Sequence, residues 1–332
     1  MRIATILSLL CVCSVVHGES KVIQAPNPDS EKYHELAIHI PDTGAIKYEV
    51  RRVADVNNNG SARQLVAKYA YRSAYQLRGD HYVFLPRLVS SDLESINGSP
   101  PPQGFDPQLI LAGLVLMDGV SYSTDRALAP EAIEDMAALK ANYRKMLVNA
   151  QKSPGGNINE SAIDSAVTTV FGMYDESSAT ELFMVEQTLL GSIHGAGLEL
   201  GRPTKILMDE PGSVGGVPIK VQYSLSLEAW DAKKNTAVAS VATEPDANDL
   251  KRYVSEVVPR LMSGQGAPPP SKDQLQAMLA SAQVSHSTKC RYEIVISTGF
   301  ISKAECTVIK GLTIGGNGQL KTDQYTIRES IE

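Results

Sequence analysis

The sequence predicts an α+β fold: antiparallel β-meanders and hairpins forming a curved sheet packed against helices. Apolar residues recur with period two around residues 35–90, 204–243 and 290–328, and with helical spacing between those blocks. Strands and helices therefore come in separate runs, not in the strand–helix alternation of a doubly wound parallel sheet. The third observation is the stretch Cys290–Ile309, CRYEIVISTGFISKAECTVI, whose pairing can be read from its letters.

Within that stretch Ser297-Thr298-Gly299 suits a three-residue loop, with glycine in the left-handed position. The loop sets Ile296 opposite Phe300. Steps outward pair Val295 with Ile301, Ile294 with Ser302, Glu293 with Lys303, Tyr292 with Ala304, Arg291 with Glu305 and Cys290 with Cys306. Two opposite-charge pairs and two cysteines meet without adjustment, and a one-residue slip would lose all three. Because side chains alternate, one face is apolar and carries the cysteines together with Ser302. The other is charged, with Val295 and Ile301 as apolar exceptions near the loop. In this loop type the cysteines fall at a widely spaced hydrogen-bonded pair, which strains a bridge unless a bulge shifts the parity.

At the other end, MRIATILSLLCVCSVVHG carries Arg2, an apolar run from Ile3 to Val16 and small residues at Ser14 and Gly18. That is the pattern of a secretory signal over residues 1–18, too short to span a membrane comfortably. The protein is thus expected to be exported, periplasmic or extracellular. Cys11 and Cys13 leave with the signal. Cys290 and Cys306 remain, in an oxidising compartment, as a disulfide contributing about 3 kcal/mol. Residues 19–33 read as a flexible leader. Residues 34–332 form the α+β body, as one domain or as two sub-domains, 34–198 and 199–332. The formal charge of −6 becomes −7 once Arg2 is removed. No basic cluster of five or more residues occurs, which argues against nucleic acid and anionic membrane surfaces as partners. Later apolar runs are short, so no stable membrane insertion is expected after signal cleavage.

The body starts with a second hairpin: Asp42-Thr43-Gly44 as its loop pairs Ile40 with Ile46, Ile38 with Tyr48, Leu36 with Val50 and Glu35 with Arg51. Asn57–Gly60 is a strong turn, and a long strand then alternates through Leu65, Ala67, Tyr69, Tyr71, Tyr75 and Leu77. Arg78-Gly79-Asp80 returns it, so residues 35–90 form an antiparallel meander, ended by Ser99 and three prolines. Pro130 suits the first turn of a helix that continues through Ile133, Met136, Tyr143 and Leu147. Leu109–Met117 suits a buried helix. Asn159 caps another helix, and Ser178 with Glu181 forms a capping box before a third. His194–Gly197 ends that helix. Strict alternation resumes at Val217–Leu227, turns at Lys233–Asn235 and returns over Val238–Ala242. Helices follow at about 247–263 and 271–283, the second capped by Ser271, with Gly264–Pro270 as a flexible joint. The C-terminal hairpin and a last strand near Leu320–Arg328 complete the chain.

Chemistry-bearing patterns are sparse. Asp42-Thr43-Gly44 matches the tripeptide of aspartic proteases, but that mechanism needs two carboxylates sharing a proton. Ser297-Thr298-Gly299 lacks the second acid, so a turn is the better reading. Gly195-Ala196-Gly197 follows a helix rather than a strand, which is a helix end and not a nucleotide loop. His34, His39, His81, His194 and His286 are scattered without metal or nucleophile spacing, and each reads as a surface or strand residue. His39 falls opposite Lys47 on a polar face. No catalytic residue, cofactor or metal site is assigned. Asn59, Asn97 and Asn159 fit the glycosylation pattern. Tyr48, Tyr69, Tyr71 and Tyr75 form an aromatic stripe that either faces a core or lines an apolar ligand cleft between sheet and helices. Met117, Met136 and Met173 would make such a cleft adaptable.

In Tyr48–Leu88, Gly216–Ala229 and Tyr292–Ile309 the chain resembles exported bacterial proteins of unknown function that build a curved antiparallel sheet over helices. Periplasmic lipoprotein-carrier proteins share that shape, and the resemblance implies binding of an apolar small molecule or lipid. The expected function is a non-enzymatic exported protein that binds such a ligand; the alternative is an envelope structural or protein-interaction module.

Overall fold

The structure, a computed structural model, describes residues 21–101, 116–152, 159–172, 176–211, 217–263, 272–315 and 317–332. The expected signal over 1–18, the joint at Gly264–Pro270 and the Ser271 cap lie outside them, as does most of Leu109–Met117. The described residues are mostly antiparallel strand, with fewer in helix. No described helix is long and apolar enough to cross a membrane.

The first five strands are β1 (Lys21–Gln24), β2 (Tyr33–Glu35), β3 (Thr43–Asn58), β4 (Ser61–Arg78) and β5 (His81–Ile96). The short β6 (Tyr122–Thr124) and β7 (Pro130–Ile133) precede four helices: α1 (Met136–Lys152), α2 (Glu160–Phe171), α3 (Glu176–Phe183) and α4 (Val185–Gly191). Then come β8 (Gly197–Glu199), β9 (Thr204–Pro211), β10 (Pro218–Asp231) and β11 (Thr236–Pro245). Helices α5 (Ala247–Ser263) and α6 (Lys272–Ser281) lead to β12 (Ala282–Val295), β13 (Ile301–Ile314) and β14 (Asn317–Ile331). Twelve strands form one antiparallel sheet in the order β1-β9-β10-β11-β12-β13-β14-β3-β4-β5-β6-β7, and β2 pairs with β8 in a separate ribbon. The sheet is curved and is not closed into a barrel.

The C-terminal hairpin keeps the expected pairs from Cys290–Cys306 through Glu293–Lys303, and the cysteines are bridged. Nearer the turn the register shifts, so that Ile294 pairs with Ile301. The Val295 N–H donates to the Phe300 carbonyl and the Gly299 N–H to the Val295 carbonyl, both at 2.8 Å, closing a four-residue loop. The extra loop residue is absorbed by a bulge at Ser302. The bulge removes the apolar exception: Ile301 turns into the core at 0% exposure while Ser302 turns out. The bridged Cα atoms lie 4.1 Å apart, nearer to the close spacing of non-hydrogen-bonded pairs than to the wide one. Gly299 has φ +75°, and a Cβ there would meet the Ala37 carbonyl oxygen at 2.2 Å.

The meander stands over β3–β5. Asn59 and Gly60 both take positive φ, 51° and 81°, the two-residue hairpin turn that the Asn-Gly pair favours. Several expectations fail. Residues 36–42 do not return on β3; that strand pairs instead with β14 and β4. The Leu36 N–H donates to Ala196 and the His39 N–H to Thr298, so His39 does not sit opposite Lys47. Asp42-Thr43-Gly44 is a strand entry, not a loop, because a tighter fit exists for Gly44: a Cβ there would meet the Tyr75 ring. Pro130 begins the edge strand β7 rather than a helix, a position that needs no ladder N–H. Likewise Lys21–Gln24, expected in a loose leader, pairs with β9 as the other edge. The Asn159 cap is present, its Oδ1 accepting the Ala162 N–H at 2.7 Å. Helix α3 begins at Glu176, ahead of the expected Ser178 cap.

Buried residues of β3–β5, β10–β14 and α1–α4 belong to one hydrophobic cluster. A second cluster joins Val217, Ile219 and Val221 of β10, Leu312 of β13 and Tyr253, Val254 and Val257 of α5.

The bridge closes a 16-residue separation. Replacing both cysteines by alanine is expected to lower the unfolding free energy by about 3 kcal/mol. Urea unfolding of the two proteins checks this; an unchanged midpoint would show that the bridge adds nothing.

Candidate functional site

Strand pairing brings a row of charged residues onto the buried face of the sheet. Extended outward from the bridge, the hairpin register pairs His286 with Lys310, and the next ladder pairs Lys310 with Lys321. Residues two apart share a face, so His286, Lys310, Lys321 and Asp323 lie on the same side as the cysteines. Arg52 of β3 stands opposite Tyr325 of β14 and continues the row. All but Arg52 are almost fully buried, and Arg52 retains 20% side-chain exposure.

The row is held by specific contacts. Asp323 accepts from Arg52 at 2.7 Å and from Lys321 at 2.9 Å. The Arg52 guanidinium lies 5.5 Å above the Tyr325 ring. At the other end Glu210 of β9 meets His286 Nε2 at 2.6 Å and accepts from the Tyr223 hydroxyl. Burial pushes the Glu210 carboxyl up, but the His286 hydrogen bond and the charges of His286 and Lys310 outweigh it and hold it below its usual range. Burial likewise raises Asp323, while Arg52 and Lys321 more than reverse the effect. The Lys310 ammonium has no hydrogen-bond partner among the described residues.

Next to this row is an apolar notch of about 400 Å³, lined by Leu250, Lys251 and Val254 of α5, Leu279 of α6, and Ala282 and Val284 of β12. Val284 pairs with Leu312, one same-face step from His286 and Lys310. A wider, open groove of about 530 Å³ lies on the outer face, where Lys47, Arg51, Lys68 and Arg328 mix with Glu49 and Asp92. Most of these charges are already paired there, Lys47 with Glu49 and both Arg51 and Lys68 with Glu94.

The four stripe tyrosines are all buried, at 2–4% exposure. Tyr48 stacks on Tyr71 with ring centroids 4.7 Å apart, and Tyr75 packs against Tyr82 and Phe84. The Tyr69 hydroxyl donates to Glu186, and Gln187 Nε2 donates to the Tyr71 hydroxyl at 3.0 Å. Met117 is buried and Met136 half-buried; Met173 lies outside the described residues. His34 stacks on Trp230 at 4.1 Å. Of the remaining histidines, His194 and His286 are buried rather than at the surface. Asp42 is exposed, and its carbonyl serves the Leu77 N–H, a backbone role. Among the described residues no group of three or more His, Cys, Asp or Glu is placed to hold a metal.

Sequence reasoning missed Glu210, His286, Lys310, Lys321, Asp323 and Arg52. The signal for His286 and Lys310 was present, since the register carried four pairs outward from Cys290–Cys306 puts them together. Nothing local marks Glu210 as their neighbour.

No protein-family model and no curated protein matches the chain. Among solved structures, similarity is found to an outer membrane channel from Pseudomonas putida F1, at 7% identity and a TM-score of 0.17. That likeness covers 92% of this chain and 100% of the other. The outer membrane protein Omp33 of Acinetobacter baumannii gives 6% identity and a TM-score of 0.16, over 87% and 99%. Scores this low bear on neither fold nor activity.

One buried pair gives a pH signature. His194 Nε2 lies 3.7 Å from Glu329 Oε2, which accepts the Ile301 N–H at 3.0 Å. Burial raises Glu329 from 4.5 to about 8 and lowers His194 from 6.5 to about 4. From pH 4.5 to 6.5 the folded chain holds an extra proton on Glu329 and lacks one on His194, so the two slopes cancel. From 6.5 to 8 only Glu329 differs: the folded state binds more protons, and its stability falls as pH rises, by up to about 1.4 kcal/mol per unit. Above about 8 the effect levels off. Urea unfolding should show this decline in the wild type between pH 6.5 and 8, whereas Glu329→Gln should be flat there and instead gain stability between pH 5 and 6.5, where His194 alone differs; parallel profiles would refute the assignment.

Proposed function

We propose that the protein is an exported, non-enzymatic module that binds an apolar ligand where helices line one end of the curved sheet. The observation that carries this reading is the notch between α5, α6 and β12. Its volume of about 400 Å³ falls within the roughly 300–1,000 Å³ of small-molecule sites. Five of its six lining side chains are apolar, and Lys251 supplies a polar rim. A sheet that covers helices belongs to the same reading. It is supported by the hydrogen bonds of Tyr69 and Tyr71 to α4 and by the Tyr292 hydroxyl, which donates to the Leu189 carbonyl at 2.7 Å. Export is supported by the signal-like opening and by the bridged cysteines, which persist in oxidising compartments. The outer face carries ion pairs such as Arg72–Glu332 and Arg291–Glu228, which suits a sheet bathed in water rather than one facing lipid.

A second reading, an envelope interaction module, is favoured by the edge strand β1, where Val22 and Ile23 are half exposed. An exposed edge can accept a strand from a partner.

The first reading is tested by delipidating the purified protein, exposing it to a total lipid extract and recording native mass spectra. A retained apolar mass is expected. Leu250→Glu, which places a carboxylate at the notch, should reduce retention about tenfold or more. A wild-type protein that retains nothing would overturn the reading.

A further inference from the structure

We infer that the ligand of this notch is an amphiphile with a carboxylate head, a single-chain fatty acid in chemical class, and that Lys310 is its counter-ion. The inference rests on the binding reading above and adds the head group to it. Three observations meet at one place on the sheet.

The first is an ammonium without a hydrogen-bond partner. Lys310 is 4% exposed, and its Nζ makes no hydrogen bond to any described residue. Glu210 is near enough to feel the Lys310 charge, but the ammonium itself makes no hydrogen bond, and a buried cation without one is costly. The second observation is that the nearby carboxylates are already engaged. Asp323 serves Arg52 and Lys321, and Glu210 gives its hydrogen bonds to His286 and Tyr223. Lys310 moreover stands opposite a second lysine, Lys321, across the β13–β14 ladder, and like charges directly opposite are unfavourable. An arriving anion would relieve both conditions at once.

The third observation is the position of the apolar space. Lys310 lies one same-face step before Leu312 on β13, and Leu312 pairs with Val284, which lines the notch. That step is about 7 Å along the strand, within reach of a lysine side chain. The order on the sheet is therefore apolar notch, then ammonium. A single aliphatic chain lying between α5, α6 and β12 would bring its head to Lys310 and His286. A neutral head would leave the ammonium as it is; a cationic head would add to the charge of Lys310 and Lys321. A carboxylate accepts from Lys310 Nζ and has a second oxygen for another donor.

The test uses the purified full chain without its signal, delipidated, with dodecanoate and dodecan-1-ol as probes of equal chain length and different head. Binding is followed by isothermal titration and by native mass spectrometry, in wild type and in Lys310→Met. The wild type should bind dodecanoate about ten- to a hundredfold more tightly than the alcohol, the range of a charge-assisted hydrogen bond. Lys310→Met should lose that preference while still binding the alcohol. If the wild type binds both probes equally, the notch reading stands and the role of Lys310 is overturned. If it binds neither, the notch reading itself fails, and this inference with it. If Lys310→Met keeps the full preference, Lys310 is not the counter-ion. Should Lys310→Met not fold, the comparison of the two heads on the wild type decides alone.

Discussion

The ladder between β14 and β3 turns two meanders into one sheet, and most of what is distinctive inside the molecule depends on it. Without that ladder the C-terminal strands would end at β14 and the N-terminal ones would begin at β3, each with an open edge. The joined residues are far apart in sequence: Arg52 and Asp323, bonded across the seam, are separated by 271 positions. Loop-closure entropy rises only slowly with such separations, so the ladder's hydrogen bonds and buried side chains can hold it. The seam extends to the chain end, where the Glu332 N–H donates to the Ala45 carbonyl at 3.0 Å. It also supplies Arg52 with a carboxylate. Asp323 is on β14 and Arg52 on β3, so in separate meanders Arg52 would lose this carboxylate and Asp323 would keep only Lys321.

The buried polar groups behave in two ways, and the difference lies in their neighbours. Asp323 and Glu210 stay charged because cations and donors surround them, which overcomes the desolvation that would neutralise them. Glu329 and His194 face each other with little support, and burial drives both toward their neutral forms. The tyrosines follow the same logic. Tyr69, Tyr71 and Tyr292 spend their hydroxyls on α4, as partners of Glu186, Gln187 and the Leu189 carbonyl. Their rings fill the core while the hydroxyls orient a helix of only seven residues, too short to be stable alone.

Local pairing was legible in the letters; long-range pairing was not. The Cys290–Cys306 register followed from charges and cysteines that must meet, and the Asn59-Gly60 turn from residues that tolerate positive φ. The bulge at Ser302 was announced by Ile301, which the simple register left on the wet face. Asp42-Thr43-Gly44 misled because Asp and Gly favour turns wherever they occur; the seat that Gly44 takes against Tyr75 depends on a strand thirty residues away. Pro130 misled for a similar reason, since a first helical turn and a sheet edge both tolerate a missing N–H. The charged row lay half in view. His286 and Lys310 share the cysteine face by simple counting, yet Glu210 reaches them over the curve of the sheet from β9, which no periodicity records.

The placement of that row is hard to explain by packing alone. On β13 the buried face runs Cys306, Val308, Lys310, Leu312, and on β12 it runs Val284, His286, Thr288, Cys290. A face that had only to pack would carry aliphatic residues at 286 and 310, as it does at 284, 308 and 312. Replacing buried ions by apolar residues of similar volume is commonly neutral or stabilising, so folding by itself gives no reason to keep a cation there. Small-molecule sites, by contrast, combine an apolar lining with a few polar groups set at fixed points. The end of this sheet has that combination: aliphatic side chains from α5, α6 and β12, followed within one strand step by His286 and Lys310. The polar groups are rigidly held because they project from neighbouring strands of a continuous ladder. A site carried on strands keeps its geometry better than one carried on loops, and here the disulfide four pairs away ties those same strands together.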